Sequence, residues 1–180
     1  MSIPPQVIPT AISIATVDSV EIAGTVCELV YDEDKNLVQI ITGEKDNVFS
    51  QKAYNLSEEL SAQIIEMGIK EGSVIAGTAS AAETRSIPAQ SALFSIESAV
   101  MVSGTVCELV RDENNNLIQI VIGDKNDVMS QTVFNLTQKL ANDAKELNIK
   151  EGTKIKGIAR AIMTMSIPAQ QPLLTIEIDI

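Results

Sequence analysis

The chain of 180 residues contains no histidine and no tryptophan, and only five of its side chains are aromatic. Without histidine it lacks the usual general base near neutral pH and the commonest metal ligand. Two cysteines are too few for a cysteine-rich zinc site or a disulfide framework. No apolar run approaches the ~18 residues that a membrane-spanning helix needs. Cations are also scarce: 13 Lys and Arg stand against 24 Asp and Glu, a net charge of −11. That balance argues against binding to phosphate backbones, which calls for clustered Lys and Arg. The opening MSIPPQVIPTAISIATV has early prolines and no basic segment, so it does not read as a secretory signal, and a cytoplasmic protein is expected. No membrane association and no cofactor are expected either.

What is present is an internal repeat. Residues 21–100 align without gaps on 101–180, with 39 identical positions out of 80. GTVCELV recurs at 24–30 and 104–110, IKEG at 69–72 and 149–152, and SIPAQ at 86–90 and 166–170. A shorter echo, SIPPQ, opens the chain at 2–6. The division that follows is an N-terminal strand-like segment, 1–20, and two repeats, 21–100 and 101–180. Apolar residues lead straight from one repeat into the next, so the halves should be docked with little freedom.

Each repeat reads as three strands, a helix and two strands. GTVCELV is β-branched and strand-like, and a polar turn (32–36, 112–116) joins it to a second strand. A third strand is expected over 48–56 and 128–136. The period then changes: Leu56, Leu60, Ile64 and Met67 fall on one helical face, as do Leu136, Leu140, Ala144 and Leu147. Asn55 three residues before Glu58, and Asn135 three before Gln138, suggest capping boxes. Gly68 and Asn148 suit a left-handed helix end. In the fourth strand Ile75, Gly77, Ala79 and Ala81 recur unchanged in the second copy, whereas the residues between them vary, so one face should pack on a core.

This order resembles the OB-fold, a five-stranded Greek-key barrel with a helix between its third and fourth strands. The resemblance implies a mainly β protein of two tandem OB-like barrels, with another small barrel or sandwich carrying one helix as the competing fold. OB-folds often bind single strands or glycans on their second and third strands, using aromatic platforms and basic grooves. Of the candidate aromatics Tyr31, Phe49 and Tyr54, the counterparts are Arg111, Met129 and Phe134, so only the last position is aromatic in both copies, as a core residue would be.

Several other positions carry candidate chemistry. Asp32, Asp34 and Asn36, with Asp112, Asn114 and Asn116, place alternate oxygens as a calcium loop would, but they lack its glycine and terminal glutamate and fit a polar hairpin equally well. They are weak calcium candidates. Cys27 and Cys107 suit buried apolar positions or a crosslink between subunits, and no histidine is available to activate them as nucleophiles. Lys154, Lys156 and Arg160 form a basic stripe where the first copy has Val74, Ala76 and Ser80, a stripe suited to an acidic surface. The Ser2-Ile3-Pro4, Ile87-Pro88 and Ile167-Pro168 segments precede strand-like stretches and are candidate interaction segments. Gln39, Gln51, Glu28 and Glu97 recur as Gln119, Gln131, Glu108 and Glu177, with no acid–base pairing in their spacing.

The expectation drawn from these features is a non-enzymatic, structural or self-assembling protein whose partner is a copy of itself, built through the N-terminal segment into a filament, ring or layer. The alternative is a ligand-binding OB-type module for a protein or glycan, with nucleic acid disfavoured by charge.

Overall fold

In the computed structural model, residues 18–180 are described. The fold is mainly β: ten strands joined into one hydrogen-bonded sheet, with two helices. The N-terminal segment, with Ser2, Ile3 and Pro4, lies outside the described residues, except that the first strand already begins at Ser19.

The first strand, β1 (Ser19–Tyr31), is rich in β-branched residues and pairs antiparallel with both β2 (Leu37–Thr42) and β4 (Val74–Ser80). It can serve two partners because it is long: residues 19–25 face β4 and residues 26–31 face β2. β2 pairs with β3 (Lys52–Asn55). β5 (Ala89–Arg111) then runs parallel to β3 over 89–92 and antiparallel to β4 over 93–98. The circuit β1–β2–β3–β5–β4 therefore returns to its start.

β5 does not stop there. Its 23 residues continue through the expected boundary near residue 100 and supply the first strand of the second half. Beyond residue 98 it pairs with β8 (Lys154–Arg160) and β6 (Leu117–Ile122). β6 pairs with β7 (Thr132–Asn135), and β7 runs parallel to β9 (Ala169–Pro172). β10 (Glu177–Ile178) completes the edge against β8. Where the first half has one unbroken closing strand, the second has two short pieces interrupted after Pro172, which has no N–H to give to a ladder.

Two separate apolar clusters fill the halves. One gathers Val26, Ile40, Tyr54, Ile64, Ile75, Ala79 and Leu93; the other gathers Val106, Ile120, Phe134, Ala144, Ile155, Ala159 and Leu173. Tyr54 and Phe134, aromatic in both copies, are core residues in both. The alternation expected of the fourth strand holds for Ile75 and Ala79, but Ala76 is buried as well, a small residue hemmed between Ala23 on β1 and Glu97 on β5. Gly77 and Gly157 recur for a steric reason, since a Cβ there would lie 2.0 Å from the Ser95 carbonyl oxygen and 2.1 Å from that of Thr175.

Helices α1 (Glu58–Glu66) and α2 (Gln138–Glu146) occur where the periodicity predicts them, but they start differently. The N-caps are Ser57 and Thr137, whose hydroxyls accept from Leu60 N–H at 3.2 Å and Leu140 N–H at 3.3 Å. Asn55 and Asn135 are the last residues of β3 and β7 and are engaged there, so no capping box forms. The helix ends are as expected: Gly68 at φ 69° and Asn148 at φ 54° are both left-handed.

The third strand is shorter than its sequence suggests. Val48–Ser50 and Val128–Ser130 each form a single turn of 3-10 helix, because Ser50 and Ser130 divert their hydroxyls to the preceding loop. Among the described residues, no helix is long and apolar enough to cross a membrane.

Candidate functional site

The polar turns between the first two strands of each half are closed by their own aspartates. Asp32 Oδ1 accepts from Asp34 N–H at 2.9 Å and Asn36 N–H at 2.8 Å, and Oδ2 accepts from the Asn36 amide at 3.2 Å. Asp112 repeats this with Asn114 and Asn116 at 2.9, 2.9 and 3.1 Å. The Asn36 backbone N–H chiefly holds the Asp32 carboxyl below its ordinary value, and the Asn116 N–H does so for Asp112. The side chains of Asp32, Asn36, Asp112 and Asn116 are thus engaged in closing the turns. Among the described residues, no three Cys, Asp or Glu side chains gather as a metal site.

Cys27 and Cys107 are free and buried in satellite clusters, with Ile41 and Ala53 in one and Val121 and Val133 in the other. Burial is the main reason each thiol is pushed up, and Glu28 and Glu108 add to it. The basic stripe meets carboxylates within the chain. Arg160 lies 3.3 Å from both Glu21 and Glu97, and Lys156 lies 3.9 Å from Glu177, while Lys154 is exposed.

The structure brings together a feature that the spacing of residues did not reveal. In each half, two loops converge on one end of the parallel strand pair. Residues 43–51 lead into Lys52 on β3, residues 81–88 lead into Ala89 on β5, and Lys52 and Ala89 are register partners. An ion pair between Lys52 and Glu83 ties the loops. In the second half, residues 123–131 and 161–168 lead into the partners Thr132 and Ala169.

Both loops are built by identical residues. Ser50 Oγ accepts from Glu44 N–H at 3.0 Å and donates to the Asn47 carbonyl at 2.8 Å, while the Gln51 amide donates to the Glu44 carbonyl at 2.9 Å. Ser130 and Gln131 make the same bonds at 3.0, 2.8 and 2.9 Å. Gly43 sits at φ 121°, and a Cβ on it would meet the Ser50 carbonyl oxygen at 2.6 Å. In the other loop, Thr84 Oγ1 accepts from Gln90 N–H at 2.9 Å, and Ser86 Oγ donates to the Pro88 carbonyl at 3.0 Å. Thr164 and Ser166 repeat these bonds, and both Ile-Pro peptides are cis.

The consequence is apolar side chains held out in solvent on fixed backbone. Phe49 is 82% exposed at the apex of its turn, and Met129, its counterpart, is 76% exposed. Ile87 and Ile167, in the other loop of each half, are exposed as well. Lys45, raised above its ordinary value by its hydrogen bond to Glu71 at 3.1 Å, flanks the first apex. A cleft of about 560 Å³ opens between the halves, lined by Gly24, Thr42, Lys52, Tyr54, Lys156 and Thr175. Its two lysines are balanced by Glu83 and Glu177, so it holds no surplus positive charge.

No protein-family model and no curated protein matches the chain. Solved structures similar to it include the mitochondrial single-stranded DNA binding protein Rim1 from S. cerevisiae, at 12% identity and TM-score 0.34 over 46% of this chain and 92% of that one. A second crystal form of Rim1 gives 14% identity and TM-score 0.32, covering 46% and 93%. Wild-type single-stranded DNA binding protein from Thermus aquaticus aligns over 90% of this chain and 92% of its own, at 12% identity and TM-score 0.30. The closed circuit β1–β2–β3–β5–β4, with α1 between β3 and β4, has the element order of an OB-like β fold. The expectation of a structural, self-assembling protein and the reading of nucleic acid as a disfavoured partner are corrected: the solved structures that align with the chain are named as single-stranded DNA binding proteins.

Proposed function

We propose that the chain is a non-enzymatic binding protein of two tandem OB-type barrels, 21–100 and 101–180, whose ligand is single-stranded nucleic acid. The ligand class is the one named for the yeast and T. aquaticus proteins. What supports it in this chain is Phe49, an aromatic ring presented to solvent on a backbone locked by Gly43, Ser50 and Gln51. The backbone that carries the ring is already ordered, so stacking on a base does not have to order the loop as well. Base–aromatic stacking contributes about 1–3 kcal/mol per base.

With a net charge of −11 and its cleft lysines already paired, the chain grips through stacking and not through counterion release. The test is fluorescence anisotropy with a dye-labelled thymidine oligomer of roughly 30 nucleotides, long enough for several bases to engage. Saturable binding is expected, with little loss as salt rises from about 50 to 200 mM, unlike phosphate-driven binders. Phe49→Ala should weaken it by about 5- to 150-fold. An absence of saturable binding to both DNA and RNA oligomers at low salt overturns the reading, as does an unchanged affinity in Phe49→Ala.

A further inference from the structure

The two copies place different side chains on one shared loop scaffold. In the first half, the loop entering β5 carries Glu83 and Arg85; at the matching positions the second half has Met163 and Met165. Lys52, which pairs with Glu83, is matched by Thr132. Ala161 to Gln171 contains no charge at all, and Ile162, Met163, Met165 and Ile167 are exposed, Met165 completely. The loop is not short of internal bonds: Thr164 N–H donates to the Gln170 carbonyl at 2.9 Å, and Thr164 Oγ1 and Ser166 Oγ are bonded at 2.6 Å. An ordered loop with its charges exchanged for isoleucine and methionine is an apolar contact surface, and methionine adapts to irregular partners.

Strand directions show what lies next to it. β1 and β5 run the same way and β8 runs against them, so the end of β8 and the start of β1 point to the same end of the molecule. Arg160, last in β8, is 3.3 Å from Glu21 on β1. Asp18, whose carbonyl accepts from Ala81 N–H at 2.8 Å, is three extended residues from Glu21, on the order of 10 Å. Asp18, the first described residue, therefore lies at the same end of the molecule as the loop that follows Arg160. The first 17 residues, MSIPPQVIPTAISIATV, contain no charged side chain and four isoleucines. Extended, they reach on the order of 55 Å, several times what is needed.

We propose that residues 1–17 dock, within the same chain, on the apolar loop formed by Ile162, Met163, Met165 and Ile167. Burial of uncharged surface on both sides drives the contact, and attachment at Asp18 makes it intramolecular, at an effective concentration that a free partner would not match.

The test is paramagnetic relaxation in the full chain, with a spin label on Ile8→Cys and the methionine methyls isotope-labelled, the buried Cys27 and Cys107 thiols being replaced by serine. Broadening of the Met163 and Met165 methyls, unchanged on dilution, is expected. It should diminish at the Met165 methyl in Met163→Glu and at the Met163 methyl in Met165→Arg, each of which restores a first-copy residue on an unchanged scaffold and so keeps the fold. Unbroadened methyls in the parent overturn the proposal, as does broadening of the remaining methyl that persists undiminished in both variants. Broadening that appears when spin-labelled chains are mixed with separate isotope-labelled chains also overturns it, because the occupant is then a second copy.

Discussion

The Gln39 side-chain amide donates to Asn55 Oδ1 at 2.8 Å, and Gln119 makes the same bond to Asn135 at 2.8 Å. This cross-strand bond between β2 and β3, repeated between β6 and β7, occupies the asparagine that would otherwise cap the helix. Capping falls to Ser57 and Thr137, two residues later. Ser57→Ala should therefore cost about 1 kcal/mol of unfolding free energy, the usual value for a lost hydroxyl cap, and Thr137→Ala the same. Urea denaturation measures both. If Asn55→Ala costs more helix than Ser57→Ala, the cap has been assigned to the wrong residue.

Arg160 joins the halves through Glu21 and Glu97, each at 3.3 Å, and all three side chains are partly exposed. Exposed ion pairs contribute about 0–1 kcal/mol and weaken with salt. Arg160→Gln should lower stability by no more than about 1 kcal/mol, with the difference shrinking as salt is added. A double-mutant cycle with Glu21→Gln isolates the pair. A coupling that grows with salt would mean that the contact is not electrostatic.

Glycine is required at some positions and replaceable at others. Gly43→Ala places a Cβ 2.6 Å from a carbonyl in a loop with no slack, at φ 121°, so it should destabilise the first half by more than 1–2 kcal/mol and displace Phe49. Gly68 is also left-handed but has open space around it, and the second copy uses Asn148 there. Gly68→Asn should be nearly neutral, and Gly68→Ala should cost about 1 kcal/mol. Thermal unfolding of the three variants separates these cases; equal losses for Gly43→Ala and Gly68→Asn would sink the steric argument.

The helices, their ends and most strands were legible because periodicity and turn chemistry act over a few residues, as at Leu60, Ile64 and Gly68. The apolar loop ends were not. Phe49 and Met129 are 80 positions apart and chemically unlike, and each looked like part of a strand. Side-chain bonds from Ser50 and Gln51 to carbonyls of the preceding loop turn that stretch outward. The recurrence of Ser50, Gln51, Thr84 and Ser86 as Ser130, Gln131, Thr164 and Ser166 was the available signal, because small polar residues repeated in loops mark a built conformation. The fusion of two strands into β5 was visible as an unpunctuated apolar run, although its partners on either side of residue 98 were not.

The two thiols give a readout of core integrity. Both are buried and pushed up by that burial, so the thiolate is scarce and sheltered near neutral pH. A disulfide reagent should react with neither in the folded protein and with both after unfolding, at a rate that follows the opening of β1–β2–β3 and its counterpart. Rapid reaction of one thiol in native buffer would show that its satellite cluster is open.

Stability against pH should form a plateau with two falling limbs. The chain has no histidine, so no side chain with an ordinary pKa titrates between about pH 5 and 8. Asp32 and Asp112 are lowered in the folded state, so their contribution is fully present above the unfolded value near 4 and is lost as pH falls through the folded value. Lys45, Lys52, Cys27 and Cys107 are raised. Their contribution is present below their unfolded values and is lost as pH rises through the folded ones, on the alkaline side of about 8.5. In Asp32→Asn/Asp112→Asn the amide oxygens can still accept the turn N–H groups, but nothing titrates there, so the acid limb alone should become shallower. Guanidinium midpoints measured from about pH 3 to 10 decide the matter: a step between pH 5 and 8, or an acid limb identical in the double variant, contradicts the assignment.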